Sequence, residues 1–174
     1  MYLVSLYFDS ATNNRIRSYI EKVSIATGNN YMIDYNVPPH ITIAAFDNIS
    51  QEKVIELLDN RLKDISRSKV LWASIGVFKS NVIYIAPILN EYLHNISVDI
   101  NSAIESEENI SISKFYRPFN WLPHTTIGKK LVGDEINIAF NALQKCFTMF
   151  SGEVIRIGLS VTNPHIEIYS WNLD

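Results

Sequence analysis

Two short segments carry residues whose types and spacing suit proton transfer. PPHITIAAF and LPHTTIGKK each place a histidine and a threonine two positions apart in an otherwise apolar run. Side chains alternate between the two faces of a strand, so His40 and Thr42 should share one face, as should His124 and Thr126. Histidine is the side chain whose ordinary pKa of about 6.5 lets it accept or donate a proton near neutral pH.

This pattern predicts the cleavage of a phosphodiester. One neutral imidazole takes a proton from the attacking nucleophile, and the other, protonated, gives a proton to the leaving oxygen. The threonine hydroxyls donate hydrogen bonds to the non-bridging phosphate oxygens, where negative charge accumulates. Neither motif contains the carboxylates of a metal-assisted mechanism, so we expect no metal and no cofactor. A single histidine in an apolar strand is most often a core residue, whereas two matched pairs favour a catalytic site.

The composition is that of an ordinary globular protein. The 174 residues suffice for one compact domain, and 47% of them are hydrophobic and 19% charged. A net charge of −3 argues against tight non-specific nucleic-acid binding, so we expect no DNA partner, but a small nucleotide or an RNA terminus stays open. The single cysteine, Cys146, excludes an internal disulfide. We expect a cytoplasmic protein with no membrane partner, and nothing indicates an obligate protein partner.

Elements that position the two motifs can be predicted along the chain, and their order occurs twice. The first half is predicted to contain a strand over 2–8, a helix over 12–27 that stops at Gly28, the His40 strand, a helix over 51–65 capped by Ser50, and the strands VLWASIGVF and NVIYIAPI. The second half is predicted to contain helices over 91–105 and about 134–149 on either side of the His124 strand, then EVIRIGLSV and HIEIYSWNL. The two predicted hairpins turn at Lys79-Ser80-Asn81 and at Asn163-Pro164.

The matching order predicts a duplicated unit. His40 and His124 are 84 positions apart, and an Ile-Gly pair recurs in a later strand of each half. We therefore expect an α+β fold in which 1–174 form a single domain of two pseudo-symmetric lobes. Each lobe should have a mostly antiparallel sheet with helices on its outer face. The first motif (around 38–46) and the second (around 122–130) should face each other across a central groove.

These two H-x-T motifs resemble those of the two-histidine phosphoesterase superfamily, in its 2'-5' RNA ligase-like and cyclic phosphodiesterase branch. PPHITIAAF is similar to the first motif of that family, and RPFNWLPHTTIGKK to the second. The resemblance covers nearly the whole chain. It implies the bilobal fold, a metal-independent mechanism, and hydrolysis or reversible ligation at 2',3'-cyclic or 2'-5' phosphodiester bonds. It also implies His40 as proton donor and His124 as acceptor, roles that such a pair can exchange between the forward and reverse reactions.

Few cations are available near the motifs to hold an anionic ligand. Arg117 lies just upstream of the second motif, in a loop before a proline. By strand alternation Lys130 should share the groove face with Thr126, whereas Lys129 should point away unless the strand bulges. This thin supply favours a small nucleotide or an RNA terminus over long RNA.

Aromatic side chains are the remaining candidates for substrate contact. Trp121 and Phe46 have flat faces on which a base can stack, and Tyr7 can line the groove floor. Aromatic residues are nevertheless core residues more often than ligand contacts. His165, beside a proline, is predicted to flank a turn, and His94 to lie on the surface of a helix.

Three functions fit these observations. The first is a phosphodiesterase acting on 2',3'-cyclic or 2'-5' bonds of nucleotides or RNA ends. The second is a catalytically idle RNA- or nucleotide-binding module of the same fold, which the two complete His/Thr pairs disfavour. The third is a related enzyme acting on an ADP-ribose cyclic phosphate or another phosphorylated metabolite. The motifs contact only the phosphodiester and do not separate the first from the third.

Overall fold

The computed structural model describes residues 1–79, 81–162 and 165–174. Ser80, Asn163 and Pro164, on which the two predicted turns depend, lie outside the described residues. The strands are β1 (Tyr2–Phe8), β2 (Ile41–Asp47), β3 (Ser68–Phe78), β4 (Val82–Pro87), β5 (Ser111–Ile112), β6 (Thr125–Lys129), β7 (Phe150–Val161) and β8 (Ile166–Asn172). The helices are α1 (Ser10–Thr27), α2 (Tyr31–Asp34), α3 (Gln51–Leu62), α4 (Glu91–Glu105) and α5 (Glu135–Gln144), with a 3-10 turn at Lys114–Tyr116.

Local sequence signals account for three helix ends. Gly28 ends α1 with a φ of 76°, which glycine adopts without steric cost, and the side chain of Ser50 caps α3, so both predictions are confirmed. Helix α1 begins earlier than predicted because Asp9 accepts a hydrogen bond from the Thr12 amide and provides the cap. Helix α5 is shorter than predicted. No sequence pattern indicates α2, β5 and the 3-10 turn, which are all very short.

The strands form an antiparallel sheet, as the α+β prediction requires. The strand order is β5-β2-β1-β7-β3-β4-β6, and β8 pairs with β7 beside β3. The hairpin β3–β4 from the first half of the chain therefore joins β6 from the second half, and β7–β8 from the second half joins β1. The two halves of the sequence therefore exchange their hairpins, so each lobe contains strands from both halves.

Two three-strand units of matching order meet in the middle of the sheet. The first unit is β2–β1–β7 and the second is β6–β4–β3, so each motif strand lies third from the central ladder. That ladder joins the first residues of β3 and β7 antiparallel, with Val70 opposite Gly152 at its centre. An antiparallel ladder is symmetric about its centre, which places the two motif strands in related positions.

Both motif strands bulge at the isoleucine that follows the threonine. Thr42 pairs with Ser5 and Ala44 with Val4, so Ile43 is the extra residue of β2. Thr126 pairs with Tyr84 and Gly128 with Ile83, so Ile127 is the extra residue of β6. A bulge reverses the alternation of the residues beyond it. Histidine and threonine therefore share one face in each strand, whereas the residues after the bulge change sides.

Glycines make room for tyrosine rings beneath the histidines. A Cβ at Gly76 would lie 2.3 Å from the ring of Tyr84, and a Cβ at Gly158 would lie 2.6 Å from the ring of Tyr7. Tyr84 packs on His124 and Tyr7 on His40, with ring centroids 5.4 Å and 6.1 Å apart. The repeated Ile-Gly of the sequence therefore has the same use in both units.

We expect Gly76→Ala to lower the free energy of unfolding by about 1–3 kcal/mol, because the added methyl group collides with the ring of Tyr84. Ser74→Ala, two residues earlier on the same strand and exposed, is the control and should change stability little. Urea unfolding measures both variants. Equal stabilities for Gly76→Ala and Ser74→Ala would contradict the tight glycine–tyrosine contact.

Candidate active site

One groove of about 500 Å³ brings together the two motifs that are 84 positions apart in sequence. His40 and Thr42 line it from β2, and His124 and Thr126 line it from β6. The neighbouring isoleucines of both strands are fully buried in the core on the opposite side. The other lining residues come from six parts of the chain: Leu3, Tyr31, Met32, Tyr35, Val37, Phe78, Val82, Tyr116, Lys129, Lys130, Thr162 and His165.

The two motif histidines are oriented in the same way. Nδ1 of His40 lies 2.7 Å from the carbonyl oxygen of Pro38, and Nδ1 of His124 lies 2.9 Å from that of Leu122. A carbonyl oxygen only accepts hydrogen bonds, so each Nδ1 carries a proton. In the neutral ring, Nε2 then has the lone pair. Each histidine is therefore fixed in the tautomer that takes or returns a proton at Nε2.

Both motif strands are also held from behind. The Thr42 hydroxyl lies 3.3 Å from the Ser5 hydroxyl, and the Thr42 carbonyl accepts a 3.0 Å hydrogen bond from the indole of Trp121. On the other side, the indole of Trp72 donates to the Thr125 hydroxyl over 3.2 Å, which accounts for the additional, fully buried threonine of the second motif. Strand pairing and these hydrogen bonds restrict the conformations that the groove side chains can adopt.

The groove disfavours positive charge on its histidines. Burial lowers the pKa of His40 to about 4, against a smaller opposing effect of its bond to Pro38. The nearby His165, His124 and Lys129 lower it further, because like charges repel. Burial also lowers the pKa of His124 from its ordinary value. Without a ligand, both motif imidazoles are therefore neutral at neutral pH, and a bound anion would supply the opposite charge that favours protonation.

Two lysines provide the positive charge of the groove. Both Lys129 and Lys130 line it, whereas strand alternation predicts that only Lys130 does. The bulge at Ile127 is the reason, since it turns Lys129 onto the face of Thr126. The matching position of the first motif strand is Ala45, so the positive charge lies on the side of the second motif.

The other predicted substrate contacts lie outside the groove lining. Arg117 forms an ion pair with Glu105. Trp121 is buried and supports β2 through its bond to Thr42, as described above. Phe46 is buried against Tyr2, because the bulge at Ile43 turns it away from the face of Thr42.

Tyr7 lies beneath the groove and contacts His40 from below. Its ring is buried, and the Arg156 guanidinium lies 4.2 Å from the ring centroid. Burial raises the pKa of Tyr7 to about 12, and the nearby Glu167 carboxylate adds to this effect. Tyr7 therefore stays a neutral phenol that packs against the imidazole.

His165 lines the groove, which its position in the sequence does not indicate. It is a turn residue directly before β8, as predicted from the neighbouring proline, and it also lines the groove and stacks on His40 with centroids 5.8 Å apart and rings inclined by 15°. Burial lowers its pKa, opposed by Glu167. The sequence offers only the identity of the side chain as a signal, because the pairing of β8 with β7 beside the first motif cannot be deduced from it.

This arrangement can hold an anion between two proton-transferring rings. Each ring has a hydroxyl beside it, and lysines lie at one side. Within residues 1–79, 81–162 and 165–174, no group of three or more His, Cys, Asp or Glu is placed to hold a metal ion. No helix of that part of the chain is long and apolar enough to cross a membrane.

The folded-state pKa of His40 makes stability depend on pH. Because this pKa of about 4 lies below the ordinary 6.5, the unfolded chain binds more protons between these values. The free energy of unfolding should fall as pH drops through this window, by up to about 3 kcal/mol from His40 alone. Urea unfolding of wild type and of His40→Gln at several pH values measures how much His40 contributes to the pH dependence of the free energy of unfolding. The variant should lose less stability in acid than wild type does. Parallel losses in the two proteins would contradict the burial of a neutral His40.

Several solved structures are similar to this chain. E. coli LigT complexed with 3'-AMP superposes with a TM-score of 0.62 over 99% of this chain and 97% of its own, at 16% sequence identity. TT0787 of Thermus thermophilus superposes with a TM-score of 0.68 over 99% and 97%, at 11% identity. At these identities the likeness establishes the fold. No curated protein sequence matches the chain.

The family is established by the sequence itself. The sequence model of the 2'-5' RNA ligase superfamily matches residues 12–165, which is most of the chain and contains both H-x-T motifs. This match confirms the family that the sequence resemblance predicts. The chain belongs to the 2'-5' RNA ligase superfamily of two-histidine phosphoesterases.

Proposed function

We propose that this protein is a metal-independent phosphodiesterase that hydrolyses 2',3'-cyclic or 2'-5' phosphodiester bonds of nucleotides or RNA ends, with ligation as the reverse reaction. The observation that carries the proposal is the matched orientation of His40 and His124 in one groove, each with Nδ1 bonded to a backbone carbonyl and Nε2 left for proton transfer. A phosphodiester anion between them favours protonation of one ring, so the pair then offers one base and one acid.

In the proposed reaction a water or hydroxyl oxygen attacks phosphorus while one imidazole takes its proton. The bond from phosphorus to the leaving oxygen breaks, and the other imidazole gives its proton to that oxygen. The hydroxyls of Thr42 and Thr126 donate to the non-bridging oxygens as negative charge builds on them. Lys129 adds positive charge at the same place. The total number of protons on the two rings is unchanged by one turnover.

The environments of the two rings favour a specific division of roles. His40 has the pKa lowered to about 4, and it is stacked on His165. Such a ring is poorly suited to enter the reaction protonated. We therefore assign the acceptor role to His40 and the donor role to His124 in hydrolysis, which reverses the roles that the family resemblance implies.

Nucleotides are the substrate class that the comparisons support. Structures of E. coli LigT with 3'-AMP and with phosphate share the fold of this chain. They support a nucleotide or an RNA terminus as the occupant of the groove. Hydrolysis of an ADP-ribose cyclic phosphate uses the same phosphodiester chemistry and would appear in the same substrate panel.

His40→Ala and His124→Ala should each reduce kcat/KM for adenosine 2',3'-cyclic phosphate by about 10²- to 10⁴-fold, because each removes one of the two proton transfers. Product formation followed by chromatography measures the rates, and circular dichroism checks the fold. His94→Ala is the control, since His94 lies on α4 against Phe119 and outside the groove lining. Full activity in either groove variant would disprove the two-histidine mechanism.

A substrate whose leaving group needs no proton can distinguish the histidine that accepts a proton from the histidine that donates one. A nitrophenolate leaves without a proton, so a uridine 3'-(4-nitrophenyl phosphate) needs the base but not the acid. His124→Ala should retain much more activity on this substrate than His40→Ala does. The opposite ranking would reverse the assignment of donor and acceptor while leaving the mechanism in place.

Lys129→Gln should weaken the binding of inorganic phosphate by roughly 5-fold, because it removes a positive charge from the groove. Arg117→Gln is the matched control, since Arg117 is paired with Glu105 outside the groove lining. Titration calorimetry at low and high salt measures both, and the loss should shrink as salt screens the charge. Equal losses for the two variants would contradict the placement of Lys129 by the bulge.

A further inference from the structure

A pair of tyrosine rings lines the groove beside the second motif. Tyr31 and Tyr35 are four positions apart around the short helix α2, and their ring centroids are 4.5 Å apart with the planes inclined by 33°. Both line the same groove as the four His/Thr side chains. Helix α2 packs against α1 and β6, so the pair lies on the side of His124.

The two tyrosine side chains differ in burial. Tyr31 is half-buried and packs against the hydrophobic core, which fixes its position. Tyr35 lines the groove and is 60% exposed, so its side chain is accessible to a ligand there. Other exposed aromatic side chains, such as Phe119 at 89%, lie outside the groove lining. Tyr35 combines an exposed ring with a position in the groove that holds the two motif histidines.

A cation lies over one of the two rings. The Lys130 ammonium lies 4.8 Å from the centroid of Tyr31. The backbone of Lys130 has a φ of 57°, and its carbonyl accepts a 3.1 Å hydrogen bond from the side chain of Asn29. Lys130 therefore lies between the tyrosine pair and the end of the second motif strand, where it can contact an anion in the groove.

A flat aromatic face next to a phosphate-sized anion site matches the two ends of a nucleotide. The face of a nucleobase stacks on an aromatic side chain whatever the base, because every base has a π-face. A phosphorylated sugar without a base would leave Tyr35 uncovered. The chemistry of this end of the groove therefore indicates a nucleobase and predicts little discrimination between bases.

We propose that Tyr31 and Tyr35 form the base-binding subsite of this protein, with Tyr35 as the stacking surface and Lys130 bridging toward the phosphate. The proposal rests on the proposed phosphodiesterase function for the position of the phosphate, and it specifies a substrate with a nucleobase. Phosphodiesters that lack a base bind through the His/Thr pairs and the lysines alone.

Binding of adenosine 3'-monophosphate and of inorganic phosphate to the full chain tests the subsite by titration calorimetry. Tyr35→Leu keeps apolar volume but removes the aromatic face, and it should weaken binding of the nucleotide by about 5-fold to 150-fold while leaving phosphate binding unchanged. Tyr35→Phe should bind both as wild type does. Phe119→Leu, which removes an exposed ring outside the groove lining, is the matched control and should change neither affinity.

Three outcomes of the calorimetric titrations would overturn the proposal. Unchanged nucleotide affinity in Tyr35→Leu would show that the base lies elsewhere, and equal losses for nucleotide and phosphate would show a merely structural role. A wild type that binds the nucleotide no better than phosphate would show that no base subsite exists. The hydrolysis assay separates this proposal from the proposed function, because a protein that cleaves no phosphodiester but loses nucleotide affinity in Tyr35→Leu retains the subsite and lacks the activity.

Discussion

The groove depends on the antiparallel ladder between β3 and β7. These two strands come from different halves of the chain, and the short ladder centred on Val70 and Gly152 joins the two three-strand units. The Trp72 and Phe150 rings stack across the end of this ladder, with centroids 5.0 Å apart. The Trp72 indole also bonds to Thr125 in the second motif strand. A shift of this ladder by one residue would move every side chain of one unit to the opposite face, so its register positions both histidines.

Electrostatics give the groove its second constraint. The protein encloses three imidazoles and two lysines at a site from which positive charge is disfavoured by burial. An anion relieves this repulsion and favours a proton on one ring, so binding of the ligand and preparation of the acid occur together. The backbone carbonyls at Pro38 and Leu122 ensure that the proton arrives at Nε2. Under the proposed function, an anionic substrate would itself complete the charge pattern that its cleavage requires.

The sequence predicts what depends on residue type and local spacing. The four His/Thr side chains line one groove as alternation over two positions requires, and Lys130 lines it too. Alternation fails beyond the threonines, because the bulges at Ile43 and Ile127 exchange the faces of Phe46 and Lys129. No local signal marks those bulges, which depend on pairing with strands distant in sequence. The same is true of the exchanged hairpins and of His165, whose place is set by the pairing of β8 with β7.

The proposed mechanism requires that His40 and His124 act on one anion and share one proton. The nitrogen-15 NMR shifts of their imidazoles, recorded with and without inorganic phosphate near neutral pH, measure both properties. Without phosphate, both rings should show a protonated Nδ1 and an unprotonated Nε2. Saturating phosphate should shift both Nε2 resonances, with one proton added to the pair. A response of only one ring, or an Nδ1 that lacks its proton in the free protein, would contradict the claim.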